Sequence, residues 1–259
     1  MTVAATPTTP PPSTPTAGPT AHTGTLVQPG SGLDPKYTSL PLLSSFQSHP
    51  TDQFLVDMDV VYGGFPYKGK RAATPHSGAH IEFDNHANQW PKGGTQAKDY
   101  PSIYAVADGI IDRITASFAV KNSEGTNDRY GINLAIAQDG TNAWSLEYSI
   151  EPLVPEPSPG FYKPFMLVKE GDQVKKGQVI GYMYLPPGEG GGSHIHFELI
   201  TTTAATMKAP AIFTPEVVNA FHAHWGSWGK DGTTAMSACM GWKLNAEENP
   251  YAAERVDTL

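Results

Sequence analysis

The sequence predicts a mainly β protein: an antiparallel sandwich or barrel-like sheet with one helix towards its C-terminal end. Three observations predict it. From about Tyr37 to Thr201, short runs rich in Ile, Val, Leu and Tyr alternate with turn residues at regular spacing. Asp108-Gly109 and Asp139-Gly140 each sit between two β-prone runs, the pairing expected of hairpin turns. Thr214-Pro215-Glu216 then supplies an N-cap, a proline at the first helical position and an early carboxylate. Val217, Val218, Phe221 and Trp225 follow at helical spacing.

Taken in order, residues 1–36 are rich in Thr and Pro, as in Thr8-Thr9-Pro10-Pro11-Pro12-Ser13, and read as an extended linker unable to bury a core. Residues 37–205 form the β domain. Phe54 to Tyr62 reads as a strand ended by Gly63-Gly64, and His76 to Asp84 as an extended segment. His86–Pro101 and Pro152–Pro164 read as loops. Ile103–Ala107 with Ile110–Ile114, and Ile132–Ile136 with Trp144–Ile150, read as hairpins. Short strands and glycine turns occupy Phe165 to Gly181, and a last strand ends near Thr201. Residues 206–259 are expected to pack a helix and tail on the sheet.

The formal net charge of −8 gives no electrostatic footprint for nucleic acid or an anionic membrane surface. No apolar run approaches the ~20 residues that span a bilayer. Cys239 is the only cysteine, so an intramolecular disulfide and a thiolate zinc site are both excluded. Low Lys and Arg with abundant Gly, Pro and Thr point to an exported protein, extracellular or periplasmic, and a monomer is expected.

The chemistry lies in the histidines. Ser193-His194-Ile195-His196-Phe197-Glu198-Leu199 is a His-x-His pair in an alternating apolar run, after Gly188-Glu189-Gly190-Gly191-Gly192. On a strand, His194 and His196 share a face. Upstream, His76, Gly78, His80, Glu82 and Asp84 share a face if that segment is extended. His76, His80 and His196 can then close most of a tetrahedral zinc shell, one Zn2+ per chain, with one position left for water. On a helix, His222 and His224 do not share a face and read as structural.

These residues carry a resemblance to the M23 family of zinc metallopeptidases, the lysostaphin-type endopeptidases. His76-Ser77-Gly78-Ala79-His80 resembles the family's His-x-Gly-x-Asp element, and Tyr104 to Ile111 its central hairpin. Glu170 to Gly181 is similar to its glycine-rich turn, and Ser193 to Leu199 to its His-x-His signature. The resemblance implies that His76 and His196 ligate zinc, that His194 is a general base or oxyanion stabiliser, and that Tyr148 positions substrate or water. It implies hydrolysis of a peptide bond in peptidoglycan.

Two residues depart from the family pattern. His80 stands where the family has its ligand aspartate, leaving about one more positive charge at the metal; Asp84 can substitute only if its strand bends. Ile150 stands where the Tyr-x-His element has its histidine, so Ile150→His is expected to raise activity if the ancestral mechanism persists. Nearby Glu147 and Glu151 are candidates to take over that histidine's part, but on a regular strand they face away from the Tyr148 side and read more simply as surface carboxylates. Three functions follow: a zinc-dependent peptidoglycan hydrolase, a degenerate module binding cell wall or protein, or a tris-histidine site for non-peptide hydrolysis or hydration. Trp90, Tyr62, Phe65, Tyr67 and Trp144 are candidates to line a groove.

Overall fold

A computed structural model describes residues 32–65, 79–85, 90–122, 125–188, 192–201, 207–208 and 211–224. The chain divides into Met1–Gly30 and Ser31–Leu259, and the described residues all belong to the second part. His76, Tyr67, Cys239 and the tail beyond His224 lie outside them.

The described strands are β1 (Gly63–Phe65), β2 (Ala79–Glu82), β3 (Ser102–Tyr104), β4 (Gly109–Asn122), β5 (Gly125–Gln138), β6 (Ala143–Val154), β7 (Gln173–Val174), β8 (Val179–Tyr182), β9 (His194–Thr201) and β10 (Met207–Lys208). Eight of them form one antiparallel sheet in the order β1-β2-β9-β6-β5-β4-β7, with β10 also paired to β9. β3 and β8 pair separately. One α-helix, α1 (Pro215–Ala223), is present among the described residues. The mainly β class and the late helix therefore stand as the sequence predicts.

Alternation along the strands divides the large sheet into two faces. Ile81, Ile195, Phe197, Leu199, Leu146, Ile150, Ile132 and Leu134 are fully buried on one face. They join a single core with Ile103, Val106, Ile180 and Met183 from the β3–β8 layer and Val218 and Phe221 from α1. Each large apolar side chain so buried contributes roughly 1.5–3 kcal/mol. Buried Tyr130 ties the layers together. The Tyr130 hydroxyl donates to the Tyr182 carbonyl at 2.6 Å and accepts from Tyr184 N at 3.0 Å. Gly64 admits the helix: a Cβ there would lie 2.6 Å from the Phe221 ring.

Three sequence expectations change. Phe54 to Tyr62 is not a strand. It runs as irregular chain with a 3₁₀ turn at Met58–Val60, and of its neighbours only Gly63–Phe65 joins the sheet. Asp108-Gly109 is not a hairpin, because β3 pairs with β8 while β4 pairs with β5 and β7. Gly109 is instead needed for close approach, a Cβ there falling 2.3 Å from the Ala135 carbonyl oxygen. The loop expected from Pro152 begins later, since β6 runs on to Val154. Asp139-Gly140 does join β5 to β6: the Asp139 carboxylate accepts from Thr141 N and Asn142 N at 2.9 and 2.7 Å, and Gly140 takes φ 89°. In α1, the Thr214 hydroxyl accepts from Val217 N at 3.4 Å, the cap read from sequence.

Candidate metal centre

The second face of the sheet is polar where β2, β9 and β6 lie side by side. β2 pairs with β9 so that His80 stands opposite His196 and Glu82 opposite His194. β9 pairs with β6 so that His196 stands opposite Ser149, His194 opposite Glu151 and Glu198 opposite Glu147. Eight polar side chains thus share one patch. Register alone assembles it, because a slip of one residue would send every one of them into the core.

The patch is largely removed from water. Side-chain exposure is 14% for His80, 12% for His194, 18% for His196, 13% for Glu151 and 3% for Glu198. Ionisable groups at such depth need partners, and these have them. His80 Nδ1 lies 3.1 Å from Glu82 Oε1, and His80 Nε2 lies 3.2 Å from His196 Nδ1. His196 Nε2 is 3.8 Å from Glu198 Oε1. The two strands repeat one arrangement: each facing histidine carries, two residues on, a glutamate directed at its outer nitrogen. Glu198 Oε2 is buried with no hydrogen-bond partner among the described residues.

His194 is held differently. Its Nδ1 donates to the Gly192 carbonyl at 2.6 Å, and its Nε2 faces Glu151 Oε2 at 3.5 Å. Gly192 makes this contact from φ 113°, a conformation that favours glycine. The ring stacks on that of His80 with centroids 4.1 Å apart and planes 20° from parallel. Glu151 Oε1 in turn accepts from Arg129 Nη1 at 3.0 Å and Ser149 Oγ at 3.2 Å.

The charges respond to this packing. Burial pushes the Glu82 carboxyl up to about 7, against the pull of His194. Burial also pushes Glu151 upward, but the His194 hydrogen bond and the charges of His194 and Arg129 outweigh it, leaving Glu151 at about 2. Burial disfavours the His194 cation, yet Glu151 and Glu82 together raise its pKa above the ordinary value. Glu147 is raised by burial and by Glu198 across the strand pair.

Two donor arrangements arise around His80. Donor atoms of His80, Glu82 and His194 all lie within 4.8 Å of one another, a grouping that could hold a metal ion. His80 Nε2 and His196 Nδ1, 3.2 Å apart, form the other. Nitrogen ligands about 2.0–2.1 Å from a tetrahedral zinc lie about 3.3 Å from each other. The 3.2 Å separation of those two nitrogens fits this spacing.

The sequence-derived residues are distributed unevenly. His80, His194 and His196 come together, while His76 lies outside the described residues. Asp84 follows the last β2 pair and is not one of the clustered donors. Tyr148 does not join the site. Its side chain is on the apolar face, fully buried, with its hydroxyl accepting from Val106 N at 3.2 Å and donating to the Tyr104 carbonyl at 3.0 Å. The structure therefore places Tyr148 in the core, on the face opposite the histidines. Ile150 is on that same face at 0% exposure. Glu147 and Glu151, read as surface carboxylates, belong to the polar patch. The signal was present in the alternation: Ser149 and Glu151 share parity, and Tyr148 and Ile150 share the other. Of the groove candidates, Trp144 is buried and Tyr62 is 53% exposed.

The chain matches no protein-family model and no curated protein sequence. Among solved structures it is similar to a zinc-containing peptidase from Vibrio cholerae, with 18% identity over 61% of this chain and 39% of that one, TM-score 0.32. A candidate M23 peptidase from Pseudomonas aeruginosa shows 18% identity over 62% and 55% of the two chains, TM-score 0.28. Lysostaphin shows 19% identity over 78% and 65%, TM-score 0.34. The chain thus spans less than two thirds of the length of each. The likeness is distant, and nothing about the chemistry follows from it.

Proposed function

We propose that this chain is a zinc-dependent hydrolase that cleaves a peptide bond in peptidoglycan, with zinc held by His76, His80 and His196. The observation that carries the proposal is the approach of His80 Nε2 and His196 Nδ1 to 3.2 Å, each ring having a glutamate at its other nitrogen. A carboxylate at the outer nitrogen fixes tautomer and ring orientation and makes the inner nitrogen a better ligand. Glu82 and Glu198 have that part. Zinc, when bound there, polarises a carbonyl and acidifies a water.

His194 is the residue that handles the proton. Its Nδ1 is committed to the Gly192 carbonyl, so Nε2 is the atom that accepts and returns a proton. The choice of a peptide bond rests on the sequence resemblance, carried by the His-x-His strand and the three elements before it. Action on peptidoglycan places the protein outside the cytoplasm, as the composition also suggests.

A second reading has its own support. His80, Glu82 and His194 form a complete two-histidine, one-carboxylate donor set within 4.8 Å. It makes His194 a ligand and leaves His196 outside the shell.

The function is tested by incubating zinc-loaded protein with purified peptidoglycan and reading new amine termini by mass spectrometry. Release that stops on chelation and returns with zinc is expected. Intact peptidoglycan beside fully metal-loaded protein would overturn the peptidase reading, in favour of a binding module or non-peptide chemistry.

A further inference from the structure

On β6, the strand facing the His-x-His element, the site face carries no histidine; it carries Ser149 and Glu151. Glu151 stands directly across from His194, with Oε2 3.5 Å from its Nε2. The other carboxylate oxygen is claimed by two donors, Arg129 Nη1 and Ser149 Oγ. Arg129 is braced in turn, its guanidinium 4.1 Å from the centroid of the Phe118 ring. Arg129, Ser149, Glu151 and His194 come from three neighbouring strands, β5, β6 and β9, so the sheet itself sets their spacing.

The ring of His194 is therefore held at three points. The Gly192 carbonyl takes Nδ1, the His80 ring covers one face and Glu151 faces Nε2. An imidazole anchored at Nδ1 alone can still swing its Nε2 edge about that hydrogen bond. A carboxylate fixed at the opposite edge removes that freedom.

We propose that Glu151, itself fixed by Arg129 and Ser149, is the positioning residue for His194, filling from β6 the place where the M23 resemblance expects a histidine. The inference rests on the reading of His194 as the group that moves the proton. It accounts for Ile150: on the core face it has no access to the site, and the neighbouring residue in the chain supplies the contact.

The test uses the full zinc-loaded chain with Glu151→Gln, Glu151→Ala and Glu151→Asp. Glu151→Gln keeps the shape and one acceptor oxygen. Arg129 and Ser149 hold that oxygen, so the amide NH2 turns to His194 and the ring loses its acceptor. In Gln and Ala variants kcat should fall by roughly 10–100-fold, the range for outer-shell partners, with KM and zinc content unchanged. Glu151→Asp, which keeps the charge, should recover part of the loss. Long-range 1H–15N spectra of the His194 ring should shift in the Gln variant while those of His80 and His196 hold. If Glu151→Ala fails to fold, the isosteric Gln variant decides. Unchanged His194 resonances, or a kcat equal to that of the parent, would overturn the proposal. An inactive parent would sink the hydrolase reading, and the spectra would still decide whether Glu151 positions His194.

Discussion

His80 and His196 face each other across the β2–β9 pair, with Nε2 of one 3.2 Å from Nδ1 of the other. Neither lies near the other in sequence; 116 positions separate them. Their meeting follows from the register of two strands whose apolar residues lock into the core from the opposite face. The glutamate two residues beyond each histidine then comes to the outer side of its ring. Changing Glu198, which belongs to neither donor set, tests the arrangement without removing a ligand. Glu198→Gln should weaken zinc binding by roughly 10–100-fold, measured by competition with a chelating dye, while the fold is kept.

Ile150 is fully buried on the apolar face. Ile150→His therefore brings a polar imidazole into the hydrophobic core. A loss of about 2–4 kcal/mol in urea denaturation is expected, with no gain in activity. This reverses the expectation drawn from the sequence pattern. A rise in peptidase activity would show that β6 can turn this position towards the histidines.

Tyr148 gives the corresponding control. Tyr148→Phe removes a hydroxyl that serves Val106 N and the Tyr104 carbonyl. The buried amide left behind should cost about 1–3 kcal/mol, read by denaturant titration. Zinc content and kcat should not change.

The metal-free protein should have a distinctive pH dependence. Glu82 is raised by burial from 4.5 to about 7, so its charging disfavours the folded state as pH rises through that interval. His194 is raised from 6.5, so its contribution is fully present below that value and is lost as pH climbs through the folded one. Both terms make the metal-free protein more stable at about pH 5 than at about pH 8, Glu82 alone by on the order of 2 kcal/mol. Glu151 acts the other way: depressed to about 2, it stabilises above its unfolded value of 4.5, and that is lost as pH falls through about 2. Thermal melts across pH should show a maximum near about pH 5, and Glu82→Gln should flatten the alkaline side. A melting temperature that rises steadily to pH 8 would contradict the assignment of Glu82.

Much of this was legible in the sequence, and the reasons are local. Period-two alternation in Ser193 to Leu199 fixed which residues share a face, and the structure keeps that division. Thr214-Pro215 marked the helix start because capping needs only neighbours in the chain. The pairing of strands was not legible. Asp108-Gly109 has the composition of a hairpin turn, yet β3 leaves for the second layer, a choice made by contacts with β8 far along the chain. Glu151 was named as a candidate but read as a surface carboxylate for a similar reason. Its role depends on which side of β6 meets β9, and motif matching placed that side on Tyr148 and Ile150. Tertiary packing of those two side chains decides it the other way.

The account stands most directly on which histidines hold the metal. Zinc content per chain, by elemental mass spectrometry, should be compared for the parent, His196→Ala and His194→Ala after identical reconstitution. The account expects one zinc in the parent and in His194→Ala, and loss of stoichiometric zinc in His196→Ala. Zinc retained without His196 but lost without His194 would contradict it and move the metal to His80, Glu82 and His194.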